Sequence, residues 1–225
     1  MSELSFDIEG RKAEIFPGPE GSPAVYLNSY GDNGEKIHEL MEKDCPDASL
    51  IVISGLDWEN DMTPWYCPPL SKYSGSYGGK AENYLKLMED VIVPEAESHL
   101  PGAPAYRAVA GYSLGGLFAV WALYRTELFS RAASMSGSLW YPDFLEYVRS
   151  HEMIRKPDCL YISVGDREAR TRNKMLRTVQ ERAEAIAEEL RSSGVNTIFE
   201  LNPGNHSHNA EERTVKGICR ILSDR

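Results

Sequence analysis

The stretch that most constrains this chain is RAVAGYSLGGLFAVWALY, residues 107–124. An apolar run, Ala108 to Ala110, leads into Gly111-Tyr112-Ser113-Leu114-Gly115-Gly116, and an apolar helix-like run follows at once. A strand that feeds directly into a helix is half of a parallel β-α-β unit, so the chain has to build a sheet covered by helices. The serine sits at the joint. A sharp turn there lifts a hydroxyl clear of the sheet, and the crowded backbone demands small residues two places before and after it. Gly111 and Gly115 hold those places. The helix beginning at Leu114 aims its first amides at the same spot, where a developing oxyanion would gain from them. The competing reading is a glycine-rich packing turn with an incidental serine.

The rest of the chain agrees with that architecture. Near the N-terminus LSFDIE and AEIF flank Gly10-Arg11-Lys12, and Leu4, Phe6 and Ile8 alternate with polar residues, as in an antiparallel hairpin with one wet face. AVYLNSY reads as a further strand, NGEKIHELMEKD as a helix, and SLIVIS (49–54) as a strand buried on both faces. Residues 55–79 read as a long loop holding Trp58, Trp65, Tyr66, Tyr73 and Tyr77. Rings in such numbers argue against disorder and serve either packing or substrate contact. KAENYLKLMEDVIVPEAESHL (80–100) is an amphipathic helix in which Pro94 predicts a kink. RAASMS, CLYISVG and NTIFELN are strands, each followed by helical spacing, with a glycine stop at Gly194. From residue 49 onward strand and helix alternate, which predicts α/β architecture: a mostly parallel sheet, helices on both faces, and N-terminal strands adding an antiparallel edge. No linker or repeat divides the chain, so residues 1–225 are expected to form one domain.

The formal net charge of −10 argues against nucleic acid and anionic membrane surfaces as partners. No apolar run approaches the ~20 residues of a membrane-spanning helix, and MSELSFDIEGRKAEIF lacks the pattern of a secretory signal. Cys45, Cys67, Cys159 and Cys219 show no paired CxxC spacing, so no metal site is expected, and reduced thiols in a cytoplasmic protein are the expectation.

A serine nucleophile needs a base and an acid that orients it. In chain order after Ser113, CLYISVG ends in Gly165-Asp166-Arg167-Glu168, where two carboxylates compete, and NTIFELN ends in Pro203-Gly204-Asn205-His206-Ser207-His208, where two histidines compete. His38, His99 and His151 fall in or beside helices and read as surface residues. One oxyanion donor is the amide of Leu114. The loop after SLIVIS offers the other, from Leu56 or Asp57, with Gly55 permitting close backbone approach.

At these residues the sequence resembles the esterase D-like family of α/β-hydrolases, over roughly residues 20 to 222. SGLDWENDMTPW resembles that family's oxyanion loop, with Leu56 at the donor position. GYSLGGLFA resembles its nucleophile elbow, MSGSLWYP its S-x-S-x-W segment, SVGDREARTRN its G-x-x-E/D acid turn and NPGNHSH its histidine turn. The resemblance implies an α/β-hydrolase fold and assigns the acid to Glu168 and the base to His206. It departs at Ser207, where the family often has an aromatic, and in a length that leaves no room for a large lid. Reach also favours Glu168 over Asp166, because it lies two residues further along the loop and has one more methylene.

The expectation is therefore a serine carboxylesterase with catalytic Ser113, His206 and Glu168, and with oxyanion donors at Leu56 and Leu114. Trp58, Trp65, Trp140 and Tyr141 are expected to line the pocket. The substrate would be a small ester of aryl, sugar-acyl or siderophore-like type, and no metal or organic cofactor is implied. An acyltransferase using the same triad, a peptidase, and a catalytically inert binding module on the same fold are the rival readings.

Overall fold

The computed structural model describes residues 4–69 and 75–223. Ten strands occur among them: β1 Leu4–Ile8, β2 Arg11–Phe16, β3 Ala24–Asn28, β4 Ser49–Ser54, β5 Tyr66–Cys67, β6 Tyr77–Gly78, β7 Arg107–Tyr112, β8 Arg131–Met135, β9 Cys159–Gly165 and β10 Thr197–Asn202. Eight pair into one sheet in the order β1-β2-β4-β3-β7-β8-β9-β10, and β5 and β6 form a separate ribbon. The helices are α1 Gly34–Asp44, α2 Trp58–Asp61, α3 Ala81–Leu87, α4 Val93–Ser98, α5 Leu114–Ala122, α6 Phe144–Ser150, α7 Val179–Ser192 and α8 Ala210–Ser223.

The pleat sorts the strand residues onto two faces. Val25, Leu27, Leu50, Val52, Ala108 and Ala110 face α1 and α8, through Ile37, Met41, Val215 and Ile218. Tyr26, Ile51, Ile53 and Val109 face the other layer, with Leu117, Phe118, Ile186 and Leu190. The expected sheet with helices on both faces and an antiparallel N-terminal edge is present: β1 pairs β2, and β2 pairs β4, in antiparallel sense. One refinement follows from the pairing. β3 is not an edge strand but an interior parallel strand held between β4 and β7. All five of its residues are buried, as a strand covered on both faces requires.

Three local expectations are corrected. The segment 55–79 carries structure of its own, namely α2 and the β5–β6 ribbon, while Tyr73 lies outside the described residues. It is pinned by a partly buried ion pair: Arg11 donates to Asp61 from Nε (3.0 Å) and Nη2 (2.8 Å), and Asp61 also accepts the Asp57 amide. Around Pro94 the helix is not one continuous α-helix. It widens to a π-turn at Met88–Ile92 between α3 and α4. Proline lacks the N–H that an ordinary turn would use there, and a wider turn absorbs the missing bond.

The third correction concerns the cysteines. Cys45, just after α1, is disulfide-bonded to Cys219 on α8, 174 residues away, while Cys67 and Cys159 are buried thiols outside that bond. Spacing could not reveal a pair brought together only by the packing of two remote helices. Structural disulfides persist in oxidising surroundings, so the expectation of a reducing compartment loses the thiol argument behind it. No helix among the described residues is long and apolar enough to cross a membrane.

Candidate active site

Ser113 stands between β7 and α5 with φ 57° and ψ −119°, a conformation that costs a non-glycine residue on the order of 1–3 kcal/mol. The surrounding turn enforces it. A Cβ on Gly111 would collide with the backbone of Gly115, and one on Gly115 would sit 3.0 Å from the carbonyl oxygen of Asn28. The two glycines are therefore needed for the close approach that raises the serine.

The loops after β9 and β10 bring the partners to it. His206 Nε2 lies 3.1 Å from Ser113 Oγ, and His206 Nδ1 lies 2.7 Å from Glu168 Oε2. With Nδ1–H donating to the carboxylate, Nε2 is left to accept the serine proton. Of the competing residues, Asp166 accepts the Gly204 amide at 2.8 Å and staples the turn. His208 lies instead beside Gly204, Asn205, Arg167 and Arg170.

The Glu168 side chain is 3% exposed and is held on both oxygens. Its Oε1 accepts from Ser136 Oγ (2.6 Å), the Gly165 amide (2.6 Å) and Arg213 Nη2 (3.1 Å). Burial pushes its pKa up. The hydrogen bonds from His206 and Ser136, the imidazole charge and the Gly165 amide outweigh burial and bring it down to about 2. Arg213 itself is 4% exposed, bonds the carbonyl oxygen of Asn205 at 3.1 Å, contacts Ser136 Oγ and lies over the Tyr112 ring. Tyr112 Oη donates to the carbonyl oxygen of His206 at 2.7 Å.

These contacts give the S-x-S-x-W segment a physical reading. Ser136 braces the carboxylate, Ser138 Oγ sits 3.5 Å from Ser113 Oγ, and Trp140 lines the cavity above them. Arg213 and Tyr112 were missed by sequence reasoning. Their one signal was position, one beside the serine and the other seven residues after the histidine, and neither position announces a contact.

The cavity over Ser113 is about 720 Å³, and Tyr30, Trp58, Tyr77 and Trp140 give it an aromatic wall. Trp65 and Tyr141 do not line it, contrary to expectation. They are bound to each other's surroundings: Trp65 Nε1 donates to Pro142 O (3.0 Å) and Tyr141 Oη to Trp65 O (2.7 Å). Leu56 is also misplaced. Gly55 approaches the β1–β2 turn, where an added Cβ would lie 2.9 Å from Gly10 O. That sets Leu56 one strand too far from the serine, since β3 intervenes between β4 and β7. The loop after β3, Ser29 to Asn33, lines the cavity in its place.

A family model described as "Putative esterase" matches residues 19–210. The chain belongs to this esterase family. Membership makes it a carboxylic ester hydrolase, and the fold agrees. The esterase is similar to an IroE-like serine hydrolase from Shewanella oneidensis, with TM-score 0.80 and 20% identity over 97% of this chain and 79% of that one. It is also similar to the siderophore hydrolase EstB of Aspergillus nidulans, with TM-score 0.72 and 16% identity over 99% and 95% of the two chains. By sequence it is 26% identical to the uncharacterized protein YbbA of Bacillus subtilis (strain 168), over 77% of this esterase and 73% of YbbA.

Proposed function

We propose that Ser113, His206 and Glu168 act as a Ser-His-Glu triad that hydrolyses a small ester through an acyl-enzyme. The observation that carries this reading is the unbroken chain from Ser113 Oγ to His206 (3.1 Å) and from His206 to Glu168 (2.7 Å), at a serine held in a strained turn. His206 Nε2 takes the serine proton as Oγ attacks the ester carbonyl, and Glu168 stabilises the imidazolium that forms. The oxyanion falls to backbone amides. One is Leu114, at the start of α5, where helix amides have no partner within the helix. The second comes from the loop after β3. The Ser29 amide is already committed to Ile53 O at 2.9 Å, so the next one, Tyr30, is assigned to the oxyanion. His206 then protonates the departing alcohol and activates the water that releases the acyl group.

The aromatic wall of Tyr30, Trp58, Tyr77 and Trp140 suits an ester with an aryl or other flat apolar portion. Relatives of the same fold that are named as siderophore hydrolases make a siderophore-like ester the preferred choice among small esters. The deciding test is Ser113→Ala on a panel of aryl, sugar-acyl and siderophore-type esters. Loss on the order of 10⁶ in kcat is expected, together with fluorophosphonate labelling of Ser113 alone. Retention of a tenth of the activity would discard the assignment.

A further inference from the structure

Two clefts open onto the Ser113 hydroxyl, and they differ in charge. The larger, about 720 Å³, has Asp32, Glu59 and Glu211 on its wall and neither lysine nor arginine. The smaller, about 460 Å³, has Arg167 and Arg170, and its one acidic residue is Glu168. We propose that the smaller cleft is a subsite for an anionic oxygen group on the substrate, so that one half of the ester carries a negative charge and lies on the Arg167–Arg170 side. This rests on the triad reading above, because the two clefts acquire their meaning from the serine between them.

A chain with net charge −10 repels anions on average, yet five of its 24 lysines and arginines fall within residues 167–177, accompanied by a single acid, Glu168. That acid does not neutralise the cluster toward solvent. Its side chain is 3% exposed and its oxygens are engaged by His206, Ser136, Gly165 and Arg213. Asp166, the other nearby carboxylate, accepts the Gly204 amide at 2.8 Å and lies 3.6 Å from Arg167, a loose contact between two half-exposed groups. Such a contact is worth little and yields readily to a better ligand.

Arg167 and Arg170 line both the cleft that holds Ser113 and a smaller adjoining hollow of about 280 Å³, with Asn205 shared by the two. The guanidinium-bearing residues therefore lie where the cleft that holds the nucleophile adjoins a hollow that does not reach it. A substrate half long enough to fill the smaller cleft would bring its terminal charge to them. Guanidinium forks match carboxylate and phosphate oxygens better than any other side chain. The acidic wall of the larger cleft works in the same direction by opposition, since it disfavours the charged half there and fixes which way round the ester binds.

The test compares two ester pairs that differ in one charge: p-nitrophenyl butyrate with mono-p-nitrophenyl glutarate, and phenyl acetate with 4-acetoxybenzoate. The first pair places the charge on the acyl half and the second on the alcohol half. In one pair the ratio of kcat/KM for the anionic over the neutral ester should fall about tenfold in Arg167→Gln/Arg170→Gln, and further in Arg167→Glu/Arg170→Glu. The same ratio should shrink as ionic strength rises, because half-exposed charges are screened. Hydrolysis of both pairs with ratios that neither variant moves would overturn the subsite and leave the triad standing. Failure to hydrolyse any of the four esters, with no fluorophosphonate labelling of Ser113, would overturn the triad reading and the subsite with it.

Discussion

Arg213 Nη2 donates to Glu168 Oε1 at 3.1 Å, from a side chain as buried as the carboxylate it meets. The consequence is a division of labour on one carboxylate: Oε1 is fixed by Arg213, Ser136 and the Gly165 amide, and Oε2 is free to face His206. Arg213 also bonds Asn205 O, so it ties the acid loop to the histidine loop. We expect Arg213→Met to lower kcat about 10- to 100-fold with KM little changed, by analogy with the loss of groups that orient metal ligands. Because breaking a buried pair also costs stability, of order 3–5 kcal/mol, the variant is to be measured well below its melting temperature. Arg213→Lys should recover part of kcat, since it restores the charge but not the fork. Equal loss in both variants would show that only the fold was being read.

The choice between the two carboxylates is tested by kcat. Glu168→Gln should lose on the order of 10²–10⁴, because the imidazole loses its orientation and charge support. Asp166→Asn keeps a side-chain acceptor for the Gly204 amide and should stay within a few-fold of wild type. The reverse pattern would exchange their roles.

His206 and His208 are separated in the same way. His206→Ala should be nearly inactive, and His208→Ala only mildly impaired, since His208 lines a hollow that excludes Ser113.

The Glu168 carboxyl, held down to about 2 in the folded protein, links stability to acid. Between its ordinary value of 4.5 and about 2, the unfolded chain binds a proton there that the folded protein does not. Stability therefore rises with pH across this window, and the contribution is complete above it. Denaturant unfolding at pH 3 and pH 6 should show a smaller difference in Glu168→Gln than in the wild type. An identical pH dependence would show that the carboxylate is not so held.

Reduction of Cys45–Cys219, or Cys45→Ser/Cys219→Ser, should lower stability by about 2–4 kcal/mol by freeing a long loop in the unfolded chain. Ester hydrolysis at moderate temperature should survive, because the bond lies near the C-terminal ends of α1 and α8 and the cavity at their N-terminal ends. Loss of activity without loss of stability would give the bond another role.

Much of this protein is local and therefore written in the chain. Ala108–Ala110, the paired glycines and the apolar run after Leu114 determine the turn at Ser113, because strand pattern, small residues and helix pattern act over a few neighbours. The two loops that carry Glu168 and His206 were legible for the same reason, as the ends of apolar strands. What the sequence left open is whatever depends on which strands lie side by side. The pairing of β3 with β7 decides that the loop carrying Tyr30 lines the cavity that holds the serine, while Leu56 does not. Packing of α1 on α8 decides that Cys45 meets Cys219. Only the closed fold turns Trp65 and Tyr141 toward each other and brings Arg213 beneath Glu168. Periodicity reports the face a residue presents. It carries no record of the element that face will meet, since that is settled by the burial of all the faces together.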